Sequence, residues 1–274
     1  MQSLRFTKME GAGNDYVYVD AIHDEFDLER GSEVAKIVSD RRFGIGGDGL
    51  IVLAPSSTAD VRMVMWNADG SRGGMCGNGI RCVAKLAHDV GVVEKSTMRV
   101  ETDSGVKEVA VLFGDDGAVT GARVHMGVIK VDTNAQAVRL AGRQWSYHAA
   151  DAGNPHAVVF VENDPADEPV LETGAAMQEL PVFPDGVNVE FVRVRPDGSL
   201  DQRTFERGSG ETMACGTGAT AAACTAVRIG VTAGPKVTVH LLGGDLVIDC
   251  SGADVVMEGP ARTVFSGEIQ LPIS

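Results

Sequence analysis

Two cysteines, Cys76 and Cys215, lie in the same local context at two places in the chain. Each is followed by a glycine, a small polar residue and a second glycine, and then by about a dozen residues with the periodicity of a helix. The cysteines are 139 positions apart (215 − 76 = 139), and the same spacing relates Gly91, which ends the first helical pattern, to Gly230. The repeated unit indicates that both cysteines do the same kind of chemistry.

That chemistry is acid–base catalysis beside a bound carboxylate. The start of a helix exposes unpaired N–H groups and the positive end of the helix dipole, which stabilise a thiolate and bind anions. Neighbouring glycines let the backbone approach a ligand closely. Two such thiols, one on each side of an amino-acid α-carbon, would remove a proton from one face and return one to the other. Stabilisation of charge on the carboxylate, and domain closure that excludes water, would favour this inversion.

The other three cysteines lie within helical or strand patterns, and we interpret Cys82, Cys224 and Cys250 as small buried apolar residues. An odd total of five cysteines does not indicate a disulfide framework, and no paired CxxC motif indicates a structural zinc site. We therefore expect reduced thiols, no metal and a cytoplasmic location.

The composition, with 44% hydrophobic and 23% charged residues, is that of an ordinary globular protein. A formal net charge of −14 argues against a nucleic-acid partner, because phosphate binding needs clustered Lys and Arg. Residues 1–11 lack the apolar core of a signal peptide, and no apolar run approaches the roughly 20 residues that span a bilayer. We therefore expect neither export nor a membrane partner.

The repeat of about 140 residues is too long for a solenoid and predicts two like-folded domains from a duplication. Many short strands and few helices in each half predict an α/β (α+β) fold. In it, two pseudo-symmetric domains each form a barrel-like, mostly antiparallel sheet around a central helix. We assign residues 1–121 plus 264–274 to the first domain and 122–263 to the second, with the active site in the cleft between them. The final strand, Ile269–Ile273, could belong to either.

The glycine-dense segment Gly44–Gly49 is the one candidate for a phosphate-binding loop. It leads into a predicted strand, Leu50–Leu53, whereas a dinucleotide fingerprint has glycines between a strand and a helix. We therefore predict a tight backbone turn here and no nucleotide.

Several motifs are characteristic of one known family. They are Asn67-Ala68-Asp69-Gly70, Met75 through Cys82, Gly153-Asn154-Pro155-His156, Glu206 through Thr212 and Ala214 through Gly218. From Phe6 to the C-terminus the sequence resembles the diaminopimelate epimerase family. The resemblance implies interconversion of LL- and meso-2,6-diaminopimelate in lysine and cell-wall biosynthesis, without pyridoxal phosphate or another cofactor. It also implies two pseudo-symmetric α/β domains and a homodimer.

The same resemblance implies a role for each matching residue. Cys76 and Cys215 would be the acid–base pair, with roles that exchange with reaction direction. The reacting carboxylate would be held by the backbone of Gly77, Asn78, Gly216 and Thr217. The rest of the substrate would be surrounded by Asn14, Asn67, Asn154, Asn188, Glu206 and Arg207. Arg207 would grip the distal carboxylate in a bidentate pair, and Glu206 and the asparagines would take the ammonium groups. His156 and Glu206 would tune the cysteines, although a capping or core role for His156 fits its spacing equally well.

The sequence departs from the family at two places. Arg72-Gly73-Gly74 stands where acidic residues are more common, and Gly49 stands where some members have a substrate-contacting glutamine. Two other functions stay open. One is a racemase of another amino acid, such as histidine, proline or hydroxyproline, on the same scaffold, although proline-type enzymes lack the Asn67, Glu206 and Arg207 set. The other is a non-enzymatic binding module with buried thiols.

Overall fold

The computed structural model describes residues 2–272, which form two compact units. Within the described chain, the first unit comprises residues 2–124 and 259–272, and the second comprises residues 125–258. Residues 1, 273 and 274 of the predicted first domain, and with them the end of the predicted final strand at Ile273, lie outside the described residues.

The first unit begins with eight strands and two helices. They are β1 (Gln2–Gly11), β2 (Asn14–Asp20), α1 (Gly31–Ser39), β3 (Gly49–Ala54), β4 (Val61–Asn67), β5 (Arg72–Gly73), α2 (Gly77–Asp89), β6 (Thr97–Thr102), β7 (Gly105–Phe113) and β8 (Val119–Gly127). A 3-10 turn, Leu28–Arg30, precedes α1. This helical segment therefore begins as a 3-10 turn at Leu28 and becomes α-helical at Gly31.

The second unit begins with two additional short strands and then has the same order of elements. They are β9 (Lys130–Val131), β10 (Gln136–Leu140), β11 (Arg143–Asp151), β12 (Pro155–Phe160), α3 (Val170–Gln178), β13 (Asn188–Val194), β14 (Leu200–Glu206), β15 (Gly210–Thr212), α4 (Gly216–Arg228), β16 (Lys236–Leu241), β17 (Gly244–Asp249) and β18 (Val255–Pro260). The last strand, β19 (Arg262–Leu271), belongs to the first unit, where it pairs antiparallel with β1.

Strand pairing confirms the duplication. In the first unit β2 runs parallel to β3, β3 antiparallel to β4, β4 parallel to β6 and β6 antiparallel to β7. In the second unit β12, β13, β14, β16 and β17 repeat that pattern of directions in the same order. The predicted mixed fold, with two like units of mostly antiparallel sheet, is confirmed.

A central helix follows each of the two cysteines. Helices α2 and α4 are both 13 residues long, and residues 77–87 of α2 are all buried. A helix that is buried on every side needs small or apolar residues all round, which α4 achieves with a run of alanines. In its own unit α2 packs against β1, β2, β3 and β7, and α4 packs against β12, β13, β16 and β17. No helix among residues 2–272 is long and apolar enough to cross a membrane.

Strand β3 shows why the sheet needs apolar residues on both faces. All six of its residues are buried. Because successive side chains of a strand point to opposite faces, Leu50 and Val52 pack with α1 residues, whereas Ile51 lies against Gly79 of α2. The continuous apolar run of β3 is therefore a strand covered by a helix on each face.

The glycine segment before β3 forms the predicted tight turn. The N–H groups of Ile45 and Gly46 both donate to the carbonyl oxygen of Val38, each at 2.9 Å, and Gly47 N–H donates to that of Ser39. Gly46 has a φ of +87°, which only glycine adopts without strain. The turn satisfies carbonyl groups at the end of α1.

We predict that Gly49→Ala destabilises the first unit. Gly49 pairs with Asn67 across β3 and β4, and a Cβ at Gly49 would lie 2.1 Å from the Trp66 carbonyl oxygen. Forcing a strand apart in a packed core costs about 1–3 kcal/mol. Thermal unfolding followed by circular dichroism should show a melting temperature lower by several degrees, about 2–4 °C per kcal/mol for a chain of this size.

The matched control is Gly234→Ala, because a Cβ at Gly234 would meet no heavy atom within 4 Å and its φ is not positive. Equal melting temperatures for the two variants would contradict this prediction, because they would show that β3 and β4 can move apart at Gly49 with little loss of stability.

Candidate active site

Cys76 is the N-cap of α2. Its backbone is extended (φ −125°, ψ 121°), and its sulfur accepts a hydrogen bond from the N–H of Gly79 at 3.3 Å. The helix therefore begins at Gly77, directly after the cysteine. A cap normally uses an oxygen acceptor from Ser, Thr, Asp or Asn. Here the sulfur takes that place, so an N–H group and the helix dipole both act on it.

Asn14 connects Cys76 to a network of charges. The Cys76 thiol donates to Asn14 Oδ1 at 3.3 Å, and Asn14 Nδ2 donates to Asp48 Oδ2 at 2.6 Å. Burial raises the pKa of Asp48, and the neighbouring charge of Asp15 raises it further. Arg41 bonds to both Asp15 and Asp48, at 2.6 and 3.1 Å. The carboxylates fix the Asn14 amide, so its oxygen is held toward the sulfur.

The remaining predicted residues of the first unit lie near the start of α2 or at the end of β4. Gly77 and Asn78 form the first two positions of the helix, and both are buried. The Gly77 carbonyl and the Asn78 side chain accept bonds from Arg81 at 3.1 and 2.9 Å. Asn67 ends β4, is exposed and donates to Ser71 Oγ at 3.0 Å. Asn14, Gly77 and Asn78 thus surround Cys76, whereas Asn67 is placed by the β3–β4 pairing.

Cys215 is the N-cap of α4 in the same way. Its sulfur accepts from Gly218 N–H at 3.4 Å, and the Thr217 hydroxyl lies 3.4 Å from it. Cys215 is only 5% exposed. Burial raises the pKa of the Cys215 thiol well above its ordinary value, and the charges of Glu206 and Glu190 raise it further. The two caps therefore share a geometry but differ in their surroundings.

His156 lies in a polar cluster at the core of the second unit. Its Nδ1 is 2.8 Å from Glu190 Oε1, its Nε2 is 2.9 Å from Asn154 Oδ1, and both His156 and Glu190 are fully buried. Both ring nitrogens therefore have oxygen partners, as buried polar groups require. A charge on His156 lowers the pKa of Glu206, which opposes the larger raising effect of burial on that carboxyl group.

Glu206, Arg207 and Asn188 meet where β14 ends. Glu206 accepts from the Thr212 hydroxyl at 2.5 Å, and burial raises the pKa of its carboxyl group. Asn188 Nδ2 donates to the Pro155 carbonyl at 3.0 Å, and Asn188 Oδ1 accepts from Arg207 N–H, also at 3.0 Å. The Arg207 side chain is exposed, with Nη1 3.3 Å from the Asp185 carbonyl oxygen.

Sequence reasoning missed Glu190 and Arg81. Glu190 sits within the apolar run of β13, between Val189 and Phe191, and Arg81 sits within the apolar helix α2. A charge inside a fully buried element is rare unless it is paired. That signal was present in the sequence, but the partners, His156 for Glu190 and Asn78 for Arg81, become visible only in the fold.

The two departures from the family have local explanations. Arg72 donates to Asp103 Oδ2 at 2.7 Å and lies over the Trp66 ring, 4.6 Å from its centre, so this loop is anchored by an ion pair and a cation–π contact. A side chain at Gly49 would collide with the backbone of β4. Gly49 therefore contributes only backbone at this place.

The other cysteines follow the prediction in two cases of three. Cys82 and Cys224 are buried, and burial raises the pKa of Cys82 to about 11. Cys250 was predicted to be buried, but it is partly exposed because it follows the end of β17, and its sulfur lies 3.0 Å from that of Cys224. Among residues 2–272, no group of three or more His, Cys, Asp or Glu side chains is arranged to hold a metal ion.

Solved structures define the class of fold to which this arrangement belongs. A PhzF-family phenazine biosynthesis protein of Bacillus anthracis superposes with a TM-score of 0.78 at 16% identity, over 99% of this chain and 100% of that one. A hydroxyproline epimerase from Agrobacterium vitis superposes with a TM-score of 0.71 at 16% identity, over 98% of this chain and 91% of that one. At such low identity the likeness shows the fold alone.

The sequence comparisons then show the particular family. The family model described as diaminopimelate epimerase matches residues 6–131 and 148–264. Curated relatives named diaminopimelate epimerase are 42% identical in Methanococcus maripaludis (strain C5) and 44% identical in Acetivibrio thermocellus. The alignments cover 98% of this chain and 100% and 99% of those relatives. This chain belongs to the diaminopimelate epimerase family.

We predict that Glu206→Gln lowers the pKa of Cys215. The carboxylate charge of Glu206 adds to burial in raising that pKa, so its removal favours the thiolate, and only at a pH where Glu206 is ionised. The pH midpoint of iodoacetamide alkylation at Cys215, followed by peptide mass spectrometry, should fall by roughly one unit. Glu162→Gln, at an exposed position of the same unit, is the control. An unchanged midpoint in Glu206→Gln would remove Glu206 from the environment of this thiol.

Proposed function

We propose that this chain is a cofactor-independent isomerase that interconverts LL- and meso-2,6-diaminopimelate by two-base proton transfer at the α-carbon. One observation carries the proposal. The same N-capping cysteine, followed by the same glycine pattern and a buried helix of equal length, occurs twice in a chain of this family. The curated relatives with more than 40% identity over almost the whole chain carry the name of this activity.

The proposed step needs one thiolate and one thiol. The thiolate removes the α-proton from one face of the carbon, and the thiol of the other cysteine delivers its proton to the opposite face. After one turnover the stereocentre is inverted and the protonation states of Cys76 and Cys215 are exchanged. The reverse reaction therefore begins from the state in which the forward reaction ends.

An α-proton next to a carboxylate is a very weak acid, so the negative charge that develops must be held. We propose that the backbone N–H groups of Gly77, Asn78, Gly216 and Thr217 hold the reacting carboxylate at the two helix starts, where the helix dipoles favour an anion. Exclusion of water around the bound substrate would keep the thiolate a strong base.

The second amino-acid group of the substrate would explain the polar residues of the second unit. The exposed guanidinium of Arg207 suits a distal carboxylate in a bidentate pair. Glu206 would take an ammonium group, together with amide oxygens. The proposed binding set comprises Asn14, Asn67, Asn154, Asn188, Glu206 and Arg207, with His156 and Glu206 tuning the cysteines.

We also propose a cytoplasmic role in lysine and cell-wall precursor biosynthesis, and a homodimer. Strand β19 supports the dimer, because seven consecutive residues, 262–268, are exposed, including Val264 (56%) and Phe265 (47%). Apolar side chains on both faces of one exposed strand are typical of a surface that another chain covers.

We predict that Cys76→Ala and Cys215→Ala each abolish epimerisation. Loss of a positioned acid or base costs about 10²–10⁴-fold in rate, and each direction needs both groups. The measurement is chiral chromatography after incubation with LL-diaminopimelate, together with deuterium incorporation at the α-carbon in heavy water. Cys250→Ala, which removes a thiol of the second unit away from the helix start, should keep the activity.

Parallel incubations with lysine, histidine, proline and hydroxyproline separate the rival functions. Inversion of one of these, with none of diaminopimelate, would identify a racemase of another amino acid. Binding without deuterium exchange would identify a binding module. Full epimerisation by either alanine variant would contradict the two-base mechanism.

For the dimer we expect sedimentation at twice the chain mass of 28.7 kDa. Val264→Asp should shift the protein toward the monomer, because it places a charge within the covered surface. The control is Val182→Asp, which changes a residue of nearly the same exposure (57%) in the second unit. A wild-type protein that sediments as a monomer at micromolar concentration would contradict the homodimer.

A further inference from the structure

Within the first five residues of the two helices that follow the cysteines, the charge differs at one matched position. Arg81 of α2 corresponds to Thr220 of α4 at the spacing of 139 (220 − 81 = 139), and both side chains are fully buried. Arg81 Nη1 donates to the Gly77 carbonyl at 3.1 Å, and Thr220 Oγ1 donates to the Gly216 carbonyl at 2.8 Å. Both residues therefore bond the first carbonyl of their helix, four residues back. The hydrogen bond is the same in both helices, but of the two donor residues only Arg81 carries a charge.

Arg81 also fixes the side chain of the next residue. Its Nη1 donates to Asn78 Oδ1 at 2.9 Å, and its Nε donates to the Pro260 carbonyl at 3.0 Å. The matching side chain in α4, Thr217, lies instead against the sulfur of Cys215. In the first unit the guanidinium thus organises the helix start, whereas in the second unit the hydroxyl of Thr217 contacts the cysteine directly.

The strands behind the two helix starts reinforce this difference. Gly79 lies against Ile51, and at the matched positions Gly218 lies against Glu190, with a Cβ at either glycine 2.6 Å from the nearest side-chain atom. The surroundings of Cys215 include Glu190 and Glu206, and those of Cys76 include the cation of Arg81. A guanidinium stays charged at any pH at which proteins are folded.

Other titratable groups near Cys76 leave this contrast in place. Tyr18 and Cys82 are buried, and burial raises the pKa of both, so they are neutral at pH 7. The acidic groups are Glu10 of β1, Asp15 and Asp48. Glu10 pairs with Arg262, Asp15 with Lys8 and Arg41, and Asp48 with Arg41. The charge of Glu10 acts on Arg81 itself.

We propose that Arg81 is a positioning residue that holds the carboxylate-binding start of α2 and favours the ionised form of Cys76, whereas Thr220 holds the start of α4 without charge. Of the two thiols, Cys76 then loses its proton at the lower pH. This inference rests on the proposed function for its meaning in catalysis, but the ionisation of the two thiols can be measured without any substrate.

The first measurement uses the unmodified protein. Iodoacetamide alkylation of Cys76 and of Cys215 is followed by peptide mass spectrometry as a function of pH. The pH midpoint is compared in place of the rate, because the midpoint does not depend on how accessible each sulfur is. We expect Cys76 to react with a midpoint at least about one pH unit below that of Cys215. Equal midpoints, or a lower one at Cys215, would overturn the proposal.

The second measurement uses variants of the matched positions. Arg81→Met should raise the alkylation midpoint of Cys76 by about one unit or more, Arg81→Lys should keep it close to wild type, and Thr220→Val should leave it unchanged. Circular dichroism verifies that each variant is folded. An unchanged midpoint in a folded Arg81→Met protein would show that Arg81 is only structural. If Arg81→Met does not fold, the proposal is still tested by the alkylation midpoints of Cys76 and Cys215 in the wild-type protein and by the midpoint of Cys76 in Arg81→Lys.

These outcomes are separate from those for the proposed function. If the wild-type midpoints differ as expected but no amino acid is epimerised, the ionisation of Cys76 stands and the epimerase proposal fails. If epimerisation requires both cysteines but the midpoints are equal, the epimerase proposal stands and the role of Arg81 fails. In an active enzyme Arg81→Met should also move the acid limb of the kcat/KM profile to higher pH, which a purely structural change would not do.

Discussion

The hydrogen bond from a glycine N–H to a cysteine sulfur is the constraint on which the rest of each unit depends. At both helix starts this glycine, Gly79 or Gly218, is pressed between the cysteine and a strand. A Cβ there would lie 3.3–3.4 Å from the cysteine Cβ and 2.6 Å from Ile51 or Glu190. Only glycine lets the N–H reach the sulfur while the helix stays packed on the sheet. The position of the sulfur is therefore set by core packing.

This dependence explains why the helix that carries each cysteine lies at the centre of its unit. A surface helix would leave its first turn free to fray, and the sulfur would lose its N–H partner. Burial of α2 on all sides, and strand β3 with apolar residues on both faces, hold the first turn in place. Groups that do chemistry gain precision when rigid elements carry them. The cost is a helix built largely of small residues, most clearly in α4.

The sequence predicted what is local or repeated. The duplication, the helices after the cysteines and the turn at Gly44–Gly49 all follow from spacing, periodicity and glycine chemistry. It did not predict the pairs between distant segments. His156 and Glu190 are 34 residues apart in the chain. They meet because β12 and β13 run parallel, which pairs His156 with Asn188, two residues before Glu190 on the same strand. Nothing in the local pattern of either strand fixes which strand is the neighbour, so Glu190 could be recognised only as an unexplained buried charge.

The combination of a repeated backbone with unlike side chains bears on how a two-base reaction would run. Two thiols in equal surroundings would share a single proton evenly, and only half of the free molecules would be ready for a given stereoisomer. Unequal surroundings, such as Arg81 at one start and Glu190 with Glu206 at the other, make one protonation state predominate. The overall equilibrium between stereoisomers is unaffected, because an enzyme acts equally on both directions. The bias does decide which stereoisomer meets the more populated form of the free enzyme. The apparent affinity for the other stereoisomer is reduced in proportion to the fraction of free enzyme that is competent to bind it. A duplication that keeps the backbone and lets two buried positions diverge is therefore sufficient to give a symmetric fold an asymmetric resting state.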